Sequence, residues 1–301
     1  MITINTNKGL IKTEAWEDIE SRPGFVKDLN PKDKKLDSII GRYIFKEKIR
    51  CGLSNCHTQH TKGYVVATKD GYETNIGKDC GRTYFGVDFE TLSRKFDRDV
   101  TEVENREKLW SFNFQIEEIE KRIHDIRSSK NGADWVQKYT RPLISRNKGC
   151  PDEVVGRLLN MVKTRTNLLT TQRLATNQEI EDIKAIENRK IEGPHYIEET
   201  VAEISGVEAL YLENDLRELL VIELGNKINE LKENDIDQMS FEELRRWAKW
   251  IGTVENTIDN SVSIVEQGKR LLNTSNLEPF LKIIDLKKDE NLFKKFLQSI
   301  N

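Results

Sequence analysis

Cysteine and histidine are scarce in this sequence, with four of each among 301 residues. Four cysteines are too few to frame a chain of this length with disulfides, and they point to metal ligands or free thiols instead. No run of about 18 apolar residues occurs, so no transmembrane helix is expected. The opening stretch, MITINTNKGLIKTEAWEDIE, has no apolar core of signal-peptide length. The expectation is an intracellular, cytoplasmic protein with no membrane partner. A large excess of either charge is also missing. The net charge of −3 gives no global attraction to nucleic acid. Apolar residues make up 37% and charged residues 33%, a polar balance, yet the apolar residues are patterned, which argues against disorder.

Several catalytic signatures are absent as well. "HTQH" has no glutamate between its histidines, so it is not the helical HExxH zinc-protease motif. The His-x-Glu with a later Cys-x-x-Cys of the zinc deaminases is missing. So is a GxxxxGK[ST] phosphate loop.

What is present is concentrated. "CGLSNCHTQH", Cys51 to His60, holds two of the four cysteines and two of the four histidines. Cys51 and Cys56 have the C-x4-C spacing of a zinc knuckle, His60 follows four residues on, and Cys80 follows after twenty more. Between them, Val65 and Val66 mark a strand, Asp70-Gly71 is a hairpin turn pair, and Tyr72 to Ile76 can form the return strand. Cys80 then opens an amphipathic helix that carries Phe89, Leu92 and Phe96.

This order of knuckle, hairpin and ligand at a helix start resembles the treble-clef group of zinc fingers. The resemblance covers about 50 residues, from Arg42 to Phe96, and implies that Cys51 and Cys56 come from the knuckle and Cys80 from the helix. It departs from that group in offering one helical cysteine rather than two ligands, so His60 or His57 must complete the set. His60 is the preferred fourth ligand, because His57 adjoins Cys56 and consecutive ligands strain a knuckle. Thiolate and imidazole suit Zn²⁺, and four such ligands close a tetrahedron, so the expected zinc is structural rather than catalytic. Treble-clef nucleases place a histidine base on the hairpin, and this hairpin has none. Cys150, in "KGCPDEV", reads as a small residue near a helix cap.

The remainder divides by pattern. Ile2 and Ile4 alternate, "NKG" offers a turn, and "TEAWEDIESR" reads as a short helix stopped at Pro23-Gly24. "RYIFKEKI", Arg42 to Ile49, is a strand leading into Cys51. From residue 100 the chain reads as almost entirely helical. Leu109, Phe112, Ile116, Ile119, Ile123 and Ile126 form one stripe. A second helical stretch is expected over 152–191, broken by "EGPH". Leu216, Leu219, Leu220, Leu224, Ile228 and Leu231 form a third. Ser240 and Glu243 form a capping box before the stripe Leu244, Trp247, Ile251, Val254 and Ile258. Two short helical pieces close the chain. No internal repeat is present. The expected fold is mainly α. A small α+β zinc-finger module (1–98) is followed by a helical bundle with long antiparallel, coiled-coil-like helices: a helical hairpin (99–192) and a C-terminal helical region (193–301).

Charge follows this division. Residues 1–98 hold 18 basic against 14 acidic residues, and the rest 30 against 37. The first functional expectation is therefore a zinc-stabilised nucleic-acid-binding protein with a helical assembly region. Arg42, Lys46, Lys48, Arg50, Lys62, Lys69, Lys78 and Arg82 are its phosphate-contact candidates, and Tyr64 and Tyr72 could stack bases. The alternative is a protein-interaction adaptor or scaffold without nucleic acid, or a chain that self-associates through its helices. An enzyme, such as a nuclease with an unrecognised site, is the third reading, and no catalytic residue is nominated.

Overall fold

The computed structural model describes residues 1–6, 9–187 and 193–300. Helices hold 59% of the chain beside a small N-terminal antiparallel sheet, so the class is mainly α with a small α+β part. Two compact units form. One comprises 1–111 with 236–248, and the other 112–235 with 249–301.

The first unit is built on a five-stranded sheet. Its strands are β1 (Ile2–Thr6), β2 (Gly9–Thr13), β3 (Leu36–Arg50), β4 (Gln59–Thr68) and β5 (Glu73–Ile76), with helix α1 (Glu17–Glu20) between β2 and β3. The order is β2-β1-β3-β4-β5 and every pairing is antiparallel. Asn7 and Lys8, the expected turn before β2, lie outside the described residues. The β4–β5 hairpin turns at Asp70-Gly71, where Gly71 adopts φ 87°.

Alternation along β4 sends successive side chains to opposite faces. Tyr64 and Val66 join Phe89, Phe96 and Val100 of helix α2 (Lys78–Ser128) on one face. Val65 joins Ile2, Ile4, Ile19 and Tyr43 on the other, with Trp16 and Phe25 packed against them. Trp16 meets Tyr43 edge-on at 5.1 Å. Both faces are thus covered. Helix α2 breaks once, at Gly86 (φ 55°, ψ −133°), a conformation that suits glycine. The expected stripe follows it, with Leu109, Phe112, Ile116, Ile119 and Ile123 buried.

Ser240 and Glu243 form the expected capping box at the head of α7 (Phe241–Leu271): the Ser240 N–H donates to Glu243 at 2.8 Å and the Glu243 N–H donates back at 3.4 Å. The part of α7 from Lys249 on belongs to the second unit. There its contacts with α2 correct the antiparallel expectation. Phe112 packs on Trp250 at 5.5 Å, and further along both helices Arg122 grips Glu255 at 2.9 and 3.0 Å. The contacts advance in the same direction on both helices. More than a hundred residues separate the two, so no short loop forces them to run in opposite directions.

The second unit also corrects the helix expected over 152–191. Helices α3 (Ala133–Thr140) and α4 (Asp152–Thr164) are followed by a strand, β6 (Leu168–Leu174), and helix α5 (Asn177–Glu187). Ile191 and Glu192 lie outside the described residues. Strand β6 pairs antiparallel with β7 (Tyr196–Glu203). Arg165 ends α4 in the left-handed conformation (φ 54°), and "NLLTTQRL" beyond it is rich in β-favouring threonine. Residues Glu218–Asn226 are wound as π-helix before α6 (Lys227–Glu233). Leu216, Leu220, Leu224 and Ile228 are buried at a spacing of four, longer than an α-turn. The chain closes with α8 (Thr274–Leu277), a 3-10 segment and α9 (Lys287–Ser299). Val155, Leu158, Leu169, Phe280 and Phe293 centre the core of this unit, and Cys150 is buried within it. Burial and the nearby Asp152 push the Cys150 thiol up to about 12, as suits a packing residue.

Candidate metal centre

The turn from β3 to β4 makes the knuckle. The Cys51 N–H donates to the Thr58 carbonyl at 2.9 Å, and the Cys56 N–H donates to Leu53 at 3.2 Å. Gly52 sits where this turn crosses β5: its N–H donates to Asn75 at 2.7 Å. A side chain there would collide with Thr74 and Asn75, so the knuckle needs glycine at this position. The β4–β5 hairpin then carries the chain back to Lys78, and Cys80 lies in the first turn of α2.

The three thiols converge. Their sulfurs all lie within 4.8 Å of one another, and those of Cys56 and Cys80 are 3.0 Å apart. Sulfurs in a tetrahedral Zn–S shell stand about 3.8 Å apart for Zn–S bonds of about 2.3 Å. The Cys56–Cys80 pair is closer than that, and the three thiols together are a possible metal site. Its surroundings fit thiolates as well. The N–H groups of Leu53 and Gly77 donate to Cys51, and that of Thr58 donates to Cys56. Without a metal the three thiols differ. Burial raises Cys51. Burial also raises Cys80, helped by the hydrogen bond with Cys56, to about 12. Burial would raise Cys56, but hydrogen bonds from Cys80 and Thr58 outweigh it and bring that thiol down to about 7.

Neither histidine joins the sulfurs among the described residues. His60 lies on β4, so the hairpin expected to lack a histidine carries one at the start of its first strand, where it sits opposite Ile49 in the β3–β4 ladder. Its Nδ1–H donates to the Thr58 carbonyl at 3.2 Å, which leaves Nε2 as an acceptor for the Tyr43 hydroxyl at 2.8 Å. Asn75 donates in turn to Tyr43 at 3.3 Å and to the Arg50 carbonyl at 2.8 Å. The lone pair that would bind metal is thus held by a phenol. His57 adopts φ 56° and turns toward Arg50, whose guanidinium donates to its Nδ1 at 2.8 Å, and toward Asp28 at 3.5 Å.

The basic and aromatic candidates scatter. Arg50 pairs with Asp28 at 2.9 Å and Arg82 with Glu90 at 2.9 Å. Arg42 is held by Asp97 and Glu104. Tyr64 donates to Asp97 at 2.7 Å and packs edge-on against Phe89, so its ring is committed to the core. Lys46, Lys48, Lys62 and Lys78 are exposed. Lys69 and Tyr72 lie elsewhere, near a cleft of about 460 Å³. Lys69 lines it with Lys34, Lys35, Leu36, Tyr84, Phe85 and the acidic Asp88. Lys34 pairs with Asp70 and lies over the exposed Tyr72 ring at 4.5 Å. Lys34, Lys35, Tyr84 and Phe85 are not among the residues expected from sequence. "PKDKK" before β3 was a visible basic run, and Tyr84 and Phe85 stand four and five residues after Cys80, one helical turn on.

The chain matches no family model, no curated protein and no solved structure. Among the described residues, no helix is long and apolar enough to cross a membrane.

Proposed function

We propose that this chain is a zinc-stabilised nucleic-acid-binding protein whose helical part serves assembly. Zinc is the proposed metal, held by Cys51, Cys56 and Cys80 in a treble-clef-like module. His60 completes the shell by exchanging its bond to Tyr43, with His57 as the alternate. The role of the metal is structural: it ties the knuckle to the first turn of α2. That same turn runs into Tyr84 and Phe85.

The observation that carries the reading is the cleft that those two rings, half-buried against the first core, share with Lys34, Lys35 and Lys69, with Asp88 on its wall. Ammonium groups meet phosphates and ring faces stack bases, a combination suited to single strands. Of the candidates named from sequence, Lys69 and Tyr72 belong to this surface, and Lys62 and Lys78 add exposed charge to the same unit.

Fluorescence anisotropy with labelled single-stranded and duplex oligonucleotides, titrated with salt, tests it. Binding is expected to weaken as salt rises. Replacing Lys34, Lys35 and Lys69 by alanine should lower the log–log slope by about two for single strands, because each lost phosphate contact removes about 0.7. No binding at low salt, or a slope that the triple variant leaves unchanged, overturns the reading.

A further inference from the structure

Two features of the second unit are unused by the metal and by the cleft. One is a groove. Ile144, Leu159, Val162, Leu210 and Leu212 line a trough of about 790 Å³, and Leu212 is 89% exposed at its rim. A second cleft of about 400 Å³ continues from it and shares Gln137, Arg141 and Arg217. Both arginines are exposed, and neither forms an ion pair among the described residues. The nearby carboxylates are engaged elsewhere. Asp134 is held by Arg127 at 3.0 Å, and Asp215 accepts the N–H groups of Arg217 and Glu218 at 2.8 and 3.2 Å. A trough whose lining is half apolar and half polar, with two guanidinium groups that form no ion pair among the described residues, suits an acidic, amphipathic segment.

The other feature is such a segment. Helix α5, "NQEIEDIKAIE", carries Glu179, Glu181, Asp182 and Glu187 against the single Lys184, with Glu181 paired to Lys184 at 2.9 Å and Asp182 accepting from the Gln178 amide at 3.2 Å, both on the exposed helix surface. It buries no residue. Ile180, Ile183 and Ile186 step by three along one side, and Ile186 is 84% exposed. The helix is nevertheless firmly started. Thr176 donates its N–H to Glu179 at 2.8 Å, the Glu179 N–H donates to Thr176 at 3.3 Å, and Arg173 forks onto the same carboxylate at 2.6 and 2.9 Å. Among the described residues Ile180 and Ile183 are half-buried and Ile186 is exposed, so the outer end of this apolar edge is open to a partner.

We propose that α5 of one molecule docks into the groove of a second copy, with its isoleucines in the trough and Glu181 and Asp182 against Arg141 and Arg217. Reciprocal docking closes a two-fold dimer. This gives the assembly half of the proposed function its partner, and it needs no nucleic acid.

Analytical ultracentrifugation of the full chain, without nucleic acid, tests it over the micromolar range. A concentration-dependent dimer is expected. Arg141→Glu with Arg217→Glu, and separately Glu181→Lys with Asp182→Lys, should each weaken it at least about tenfold. Mixing the two reversed variants should restore it, because each then meets a groove or a helix of opposite sign. Ile186→Ser, which changes no charge, should weaken it too. A monomer at every concentration overturns the proposal, and so does a dimer unaffected by these variants or a mixture that stays apart. The oligonucleotide titration reads a different unit, so either reading can fail alone.

Discussion

The interiors of the two units differ in kind. Five of the seven described buried polar residues, Thr3, Thr68, Thr74, Asn75 and Ser93, lie in the first unit, together with the three clustered thiols. Tyr43, His60, Asn75 and the knuckle backbone form one hydrogen-bonded chain there. The second unit is filled by leucine, isoleucine, valine and phenylalanine. Apolar burial is non-directional and scales with area, so that interior needs only shape and volume. A polar interior stabilises only when each partner is in place. The first unit is therefore conditional on local chemistry, and the second on area.

Metal removal should separate the two most sharply. Chelation, or Cys51→Ser, is expected to abolish the calorimetric transition of the first unit, because structural zinc contributes on the order of 10 kcal/mol to the folding of small modules. The helical transition should persist. If both transitions survive metal loss unchanged, the contrast is broken.

The converse test uses Phe280, fully buried in the second core. Phe280→Ala should cost about 3–5 kcal/mol through lost contacts and an unfilled cavity. Denaturant unfolding followed by helical circular dichroism reads it, with metal content unchanged. A loss of metal in that variant would show that the two interiors are not independent.

The smallest effect concerns pH. A metal needs thiolates, so affinity rises as pH rises. Cys56, brought down to about 7, is already ionised above that pH, whereas Cys51 is raised and Cys80 lies near 12. Binding then displaces two protons, and affinity should rise about 100-fold per pH unit above 7, steepening below 7 as Cys56 adds a third. Competition with a chromophoric chelator across pH measures the slope. A flat profile would remove the thiols from the site.

The strands around the knuckle were legible because alternation and an Asp-Gly turn are local signals: Ile2 and Ile4, Val65 and Val66, and Asp70-Gly71 all sit where the pattern puts them. The stripes on α2 and α7 were legible for the same reason, as was the Ser240 cap. The helix expected over 152–191 failed because its apolar residues keep a plausible spacing across "TRTNLLTTQRL". The competing β preference won once β7 supplied a partner strand. The π-helical turns at 218–226 left only a four-residue spacing as a trace.

The candidate site divides the same way. Sequence spacing alone picks out Cys51, Cys56 and Cys80 as residues able to meet, because knuckle, hairpin and helix start are each encoded within a few residues. That neither histidine joins them among the described residues is decided by packing. Tyr43 reaches His60 across the sheet and Arg50 reaches His57 across the turn, contacts that no local pattern carries. The gathering of Lys34, Lys35 and Lys69 beside Tyr84 and Phe85, and the direction in which α2 and α7 run past each other, are likewise tertiary. A sequence states which face of an element is apolar. The partner of that face is chosen by long-range packing, where loop length and competing surfaces decide.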